Sequence, residues 1–277
     1  MTVPPDLKSV TDHPELRGAD VSISVVSHDQ MGLVVHLLDG LESHCRPVQI
    51  EVILTLNLNE SLSFDPGAYS YPIIVLRNAC PKGFAANHNQ AFTHASGRNF
   101  CVINPDIRFS SEPFGNLLAC LEDISVGAVA PLVWGKGGNL EVTARRFPSP
   151  LKLLGKLVGM GWQQDYLLDC DPVYPDWIGG MFMLFPRRVF DQLAGFDERY
   201  FLYYEDVDIC ARLRLLGYQV EICTAASVIH HAQRQSHHDF RYLSWHVGSI
   251  ARFFLSPVYW KLKLLQTHGD DGRMRKP

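Results

Sequence analysis

"ADVSISVVSHDQMGLVVHLLDGLESHCRPVQIEVILTLNLNES", Ala19 to Ser61, changes its hydrophobic period twice. "ADVSISVVSHD" is a short β-branched run and reads as a buried strand. "QMGLVVHLLDGLESHC" then repeats its apolar residues at helical spacing. "QIEVILTLNLNES" returns to a continuous apolar run and ends in polar residues. A strand, a helix and a second strand of these lengths make a βαβ unit, and such units build parallel sheets.

The alternation continues downstream. "YPIIVLRNA" reads as a third strand, and "NHNQAFTHASG" as a helix ending at Gly97. "RNFCVINPDIRF" is a fourth strand running into Pro105 and Asp106. "SEPFGNLLACLEDI" follows as a helix with Ser110 or Ser111 as its cap, then "GAVAPLVW" as another strand. From Gly135 to Asp176 the Gly and Pro content indicates a mobile loop with a short helix inside. "WIGGMFMLFPRRVFDQLAGF" resumes with a strand and a helix. The expected class is α/β, with a mostly parallel central sheet flanked by helices. Three regions follow: a tail over 1–19, a main domain over 20–239, and a C-terminal helical extension over 240–277.

Composition narrows the function. The 277 residues are 47% hydrophobic and 19% charged, which supports a sizeable core and argues against disorder. A formal net charge of -4 excludes bulk attraction to nucleic acid, so an anionic substrate would need a local cation or a metal. The seven cysteines form no CxxC pair and read as free thiols in a reducing cytoplasm. The first twenty residues lack the apolar core of a signal peptide, and no apolar run reaches the roughly 20 residues that span a bilayer. A cytoplasmic protein is expected, either soluble or peripheral on the inner face of the membrane. "FRYLSWHVGSIARFFLSPVYWKLKLLQ" interleaves aromatics with Arg and Lys. It suits a helix lying on an anionic membrane and equally a helix packed on the main domain or in a dimer.

In parallel α/β sheets, ligands bind beyond the carboxyl ends of the strands. The residues to watch are therefore Ser27, His28, Asp29, Asn57, Asn59, Asn78, Asn104 and Asp106. "INPDI" places a carboxylate at that edge, stiffened by Pro105. Such an oxygen ligand suits Mg²⁺ or Mn²⁺, which would grip a diphosphate, although Asn-Pro-Asp is also an ordinary turn. "NACPKGFAANHNQAF" puts Gly83 before a helix whose first N–H groups could hold a phosphate. Asn87 and Asn89 there are poor helix formers, suited to polar contacts or to capping. "FDERYFLYYEDVDICARLRLLGY", Phe196 to Tyr218, crowds Asp197, Glu198, Glu205, Asp206 and Asp208 among aromatics. Its second half is a helix ended by Gly217, with acids at the favoured N-terminus and an Asp208–Arg212 ion pair. "VIHHAQRQSHH" offers His230, with a zinc site of His230, His231, His237 and His238 disfavoured because adjacent strand residues point apart.

The order of these motifs resembles the inverting glycosyltransferases of family 2, with the GT-A fold, and among them the bacterial rhamnosyltransferases of surface polysaccharide and O-antigen assembly. The resemblance covers about residues 20 to 240. "GGMFML" with "GFDERYFLYYEDVD" carries it most specifically, supported by "NPD" and "GFAANHN". It implies that Asp106 and His230 hold a divalent metal, Mg²⁺ or Mn²⁺. It implies that Gly83, Phe84 and Asn87 border the nucleotide, beside Ser27, His28, Asn57, Asn59 and Asn104 at the strand ends. Trp177, Gly179 and Gly180 would line the acceptor pocket. Asp206 would be the catalytic base, with Glu205 tuning it, while Asp197 and Glu198 shape the turn or approach the acceptor. The implied donor is dTDP-rhamnose and the acceptor a glycan on a lipid carrier. In one place the chain departs from the family: Leu56 stands where an Asp usually ends the second strand, leaving Asn57 or Asn59 to meet the nucleotide.

Two other classes compete. A metal-dependent sugar nucleotidyltransferase would carry a Gly-rich, basic signature near its start, and "VVSHDQMG" lacks one. A non-catalytic carbohydrate-binding protein would have no need of Asp106, Asp206 and His230 together.

Overall fold

A computed structural model describes residues 18–150, 165, 166, 168, 172–231 and 240–273. Most of the tail, the short helix expected in the middle loop, and His237 and His238 lie outside these residues.

Eight strands form one sheet in the order β3-β2-β1-β4-β9-β6-β10-β5. These are β1 (Val21–Ser27), β2 (Ile50–Leu56), β3 (Ile73–Arg77), β4 (Asn99–Ile103), β5 (Ile107–Arg108), β6 (Val126–Gly135), β9 (Phe182–Pro186) and β10 (Gln219–His230). A separate ribbon pairs β7 (Ala144–Arg145) with β8 (Trp177–Ile178). The ladders β1–β2, β2–β3, β1–β4 and β6–β10 are parallel. β9 runs antiparallel between β4 and β6, and β5 antiparallel beside β10. Six of the eight strands therefore run the same way, as a mostly parallel sheet requires, and β9, the "GGMFML" strand, and β5 run against them.

The first strand shows why both faces are covered. Val21, Ile23 and Val25 are fully buried on one side, against Leu37, Leu38 and Leu41 of α1 (Met31–His44) and Phe114 and Leu117 of α3 (Phe114–Cys120). Ser22 and Ser24 point the other way and are buried with partners: Ser22 donates to Glu51 at 2.5 Å, and Ser24 bonds His88 Nδ1 at 2.7 Å. That second face receives α2 (Phe84–Phe92), α4 (Arg187–Gln192) and α5 (Glu205–Leu215) over a cluster of Phe100, Phe185, Phe190 and Phe196. Helix α2 ends at Phe92, short of Gly97. Helix α3 is capped by the Glu112 side chain on the N–H groups of Phe114 and Gly115, not by Ser110 or Ser111. The six described cysteines are free thiols.

The C-terminal helices α6 (Phe240–Leu255) and α7 (Pro257–Arg273) pack on this face, burying Phe253, Tyr259 and Leu262. They dock on the aromatic run before α5: Phe201 meets Trp245, Tyr203 meets His246, and Tyr204 meets Phe253. Tyr203 and Tyr204 both take positive φ, 68° and 69°, an uncommon pair for residues with a Cβ. This double left-handed turn aims Tyr204 into the core and starts α5 at the sheet's carboxyl edge. No described helix is long and apolar enough to cross a membrane.

Candidate active site

Three loops meet at that edge. Asp206 lies in the first turn of α5 and is half-buried. Its Oδ2 accepts from the Gly180 N–H at 3.1 Å and its Oδ1 from the Val207 N–H at 2.8 Å. The next residue, Met181, accepts through its carbonyl from the Asn104 N–H at 2.9 Å. This short chain of bonds ties the acid at α5 to the "NPD" loop. A Cβ at Gly180 would touch Phe84 Cζ at 3.4 Å and Asp206 Cβ at 3.5 Å, which are ordinary packing contacts that place this residue directly between the two side chains.

The acids of the cluster separate by environment. Burial pushes Asp206 above the ordinary carboxylate range. The Val207 and Gly180 N–H groups and the Arg145 charge pull it back. Glu205 is buried, with Oε2 lacking a partner. Burial raises it well above its usual value and the Asp206 charge adds to this, which favours its neutral form. Asp208 is also buried and pairs with Arg212 at 2.7 Å. Asp197 holds Arg199 and accepts its N–H, shaping the turn. Glu198 accepts from Asn89 at 3.0 Å.

Asp106 precedes β5, and His230 ends β10. The His230 Nε2 lies 3.2 Å from Asp106 Oδ2, and its Nδ1 lies 2.9 Å from Glu141 Oε2. Burial works against charge on His230, but the bonds and charges of Asp106 and Glu141 outweigh it and raise the imidazole to about 9. The other Asp106 oxygen, Oδ1, is buried without a partner. An orphaned carboxylate oxygen beside an imidazole fits a divalent cation. Among the described residues, no group of three or more His, Cys, Asp or Glu could hold a metal by itself. The chain would then provide Asp106 and His230 as its own ligands, with hard-cation chemistry suited to the carboxylate oxygen.

Several of the strand-end and loop residues already have partners within the chain. Asn57 is buried: it donates to the Lys82 carbonyl and accepts from the Lys82 N–H and from Asn78, with His28 3.1 Å away. Asn87 is buried too, accepting from Asn78 at 2.6 Å and donating to Lys82 O at 3.1 Å. Both amides are occupied in holding the 78–83 loop. The Phe84 N–H, expected to be open to phosphate, donates instead to Phe201 O at 2.9 Å. A Cβ on Gly83 would come within 2.4 Å of that same oxygen, so this glycine serves close backbone packing. Asn59 is exposed. Ser27 is buried and donates to Glu60 at 2.7 Å. Trp177 donates to Arg146 O at 3.0 Å and lies under the Arg145 guanidinium, and the Gly179 N–H bonds Thr143 O. Arg145, Glu60 and Glu141 thus join the site without any signal of period or motif.

Comparison with solved structures identifies the architecture. Two similar structures are GalNAc-T7 with UDP, GalNAc and Mn2+, and mannosyltransferase PcManGT from Pyrobaculum calidifontis in complex with GDP-Man and Mn2+. The first aligns with TM-score 0.61 at 13% identity over 79% of this chain and 45% of that one. The second aligns with TM-score 0.57 at 15% identity over 94% and 77%. The chain has the GT-A fold. In sequence, the chain matches the family described as "N-terminal domain of galactosyltransferase" over residues 166–238. It is 32% identical over 153 residues to the N-acetylglucosaminyl-diphospho-decaprenol L-rhamnosyltransferase of Mycobacterium tuberculosis, covering 50% of this chain and 48% of that protein. It is 40% identical over 83 residues to rhamnosyltransferase WbbL of Escherichia coli K12, covering 28% and 30%. The alignments thus span about half or less of each of these curated relatives.

Proposed function

We propose that the chain is an inverting rhamnosyltransferase of bacterial surface polysaccharide assembly, moving rhamnose from dTDP-rhamnose to a hydroxyl of a lipid-linked glycan. The observation that carries this reading is the placement of Asp206. Its carboxylate opens α5 at the ligand-binding edge, held by two backbone N–H groups and tied through Met181 to the Asp106 loop. The rhamnosyltransferase relatives support the choice of sugar.

Asp206 takes the proton from the acceptor hydroxyl as that oxygen attacks the anomeric carbon. Its raised proton affinity suits a base working near neutral pH. Glu205, favoured as the neutral acid, adds no second negative charge beside it. The Gly180 N–H fixes the direction of the carboxylate, and Trp177 with Gly179 borders the acceptor side. Asp106 and His230 would hold Mg²⁺ or Mn²⁺. When bound, that ion neutralises the charge of the departing nucleoside diphosphate. One displacement inverts the anomeric centre.

The α6–α7 surface supports a peripheral place on the membrane, where a lipid-linked acceptor resides. Leu243, Val247, Leu255, Trp260 and Leu264 are 56–81% exposed there. Residues 240–266 carry Arg241, Arg252, Lys261 and Lys263 and no Asp or Glu.

A thermal-shift panel of nucleotide sugars with Mg²⁺ or Mn²⁺ tests the donor assignment. A metal-dependent rise with dTDP-rhamnose above UDP- and GDP-sugars is expected. A preference for another donor would overturn the sugar assignment.

A further inference from the structure

We infer that Glu141 is a positioning residue for the metal site, holding the Nδ1 edge of His230 so that Nε2 is presented beside Asp106. The inference rests on Asp106 and His230 being the metal ligands proposed above.

The geometry follows from strand pairing. β10 lies between β6 and β5, and its last residue, His230, pairs with Gly135 on one side and Ile107 on the other. After Gly135 the chain doubles back. The Gly135 N–H bonds Asn139 O at 2.8 Å, Gly138 turns at φ +75°, and the Glu141 N–H returns to Val133 O at 2.8 Å. This tight hairpin brings Glu141 Oε2 to 2.9 Å from His230 Nδ1. On the opposite side the His231 N–H bonds Asp106 O at 2.9 Å, which seats the Asp106 side chain against Nε2. Each ring nitrogen therefore meets a carboxylate delivered by a different neighbouring strand.

The two carboxylates differ in what they have left to offer. Asp106 keeps a buried oxygen with no partner. Glu141 is the more exposed of the two, 25% against 15%, and is engaged at Nδ1. An imidazole binds a cation through one nitrogen when the other keeps its proton, and a carboxylate on that proton selects the tautomer and strengthens the ligand. Glu141 is placed for that supporting part, and Asp106 for the ligand's.

The test measures Mn²⁺ alone, by loss of the free-ion EPR signal, with the ¹⁴N coupling of the bound ion as a second readout. In Glu141→Ala, and in the volume-preserving Glu141→Met, Mn²⁺ affinity is expected to fall about 10- to 100-fold, with weakened ¹⁴N coupling. Glu141→Gln keeps an oxygen acceptor for Nδ1–H without the charge, and is expected to stay within a few-fold of wild type. If Gln loses as much affinity as Met, the effect is one of charge and the positioning role is wrong. If His230→Ala abolishes binding while Glu141→Ala and Glu141→Met leave affinity and coupling unchanged, the inference fails and the ligand assignment stands. If His230→Ala binds Mn²⁺ like wild type, both fail.

Discussion

Gly83→Ala should damage fold and chemistry together, because Gly83 is where the 78–83 loop touches the aromatic run leading to Asp206. Its φ of -69° and ψ of 168° are open to any residue, so the cost is purely steric. The added methyl would sit 2.4 Å from Phe201 O and 2.8 Å from Phe201 Cα, both backbone atoms that no rotamer change can move. Ordinary carbon–oxygen contacts lie near 3.3–3.6 Å, so the loops must part by about 1 Å. Overpacking of this kind costs about 1–3 kcal/mol. Stretching the Phe84 N–H bond to Phe201 O forfeits roughly 1 kcal/mol more. The sum, roughly 2–4 kcal/mol, corresponds to a melting point lower by about 5–10 °C in a domain of this size. A shift of about 1 Å beside the reacting groups can also slow turnover on the order of 100-fold. Urea unfolding and initial rates of nucleoside diphosphate release measure the two effects. Gly248→Ala is the control: its Cβ meets nothing within 4 Å in the middle of α6, and helix propensity predicts a gain of about 0.5–1 kcal/mol. Gly83→Ala with wild-type stability and rate would refute the reasoning.

Three further outcomes follow from the same structure. His88 is buried against Ser24, and burial lowers its imidazole from 6.5 to about 3. The folded chain refuses a proton that the unfolded chain accepts, so its contribution is intact above pH 6.5 and is lost as pH falls towards 3. Between pH 6.5 and 5 this removes about 2 kcal/mol, and urea midpoints at both values should show a smaller loss in His88→Gln. Asp208→Ala leaves Arg212 charged and largely buried without its partner, at a cost of about 3–5 kcal/mol by urea unfolding. Vesicles rich in anionic lipid should sediment the wild-type chain in a salt-sensitive manner and release Leu243→Glu/Val247→Glu. Equal sedimentation of both would place the contact elsewhere.

Much of this arrangement is legible in the sequence where a local rule applies. The βαβ opening is written in its periods. The acids of "YEDVD" stand at a helix start because the dipole and the free N–H groups favour them there, and Asp208 pairs with Arg212 as four-residue spacing dictates. The direction of β9 is not legible, since "MFMLF" would be buried in either orientation between β4 and β6. Asn57 and Asn87 illustrate another limit. A polar residue after a strand, like Asn57, or in a helix's first turn, like Asn87, reads the same whether it faces a ligand or, as here, satisfies the backbone of Lys82. Glu141 could not be found at all, because its meeting with His230 depends on the pairing of Gly135 with His230 across β6 and β10. The aromatic run "YFLYY", unexplained by charge patterns, forms the seat for α6 and the double turn that aims α5.

The base assignment of Asp206 is tested most directly by Asp206→Asn, measured for both donor affinity and turnover. The amide keeps the shape and an acceptor for Gly180 or Val207, but not the basicity. The structure predicts a rate lower by about 10²–10⁴-fold, with donor affinity within a few-fold of wild type. Wild-type turnover, or equal losses of donor affinity and rate, would contradict it.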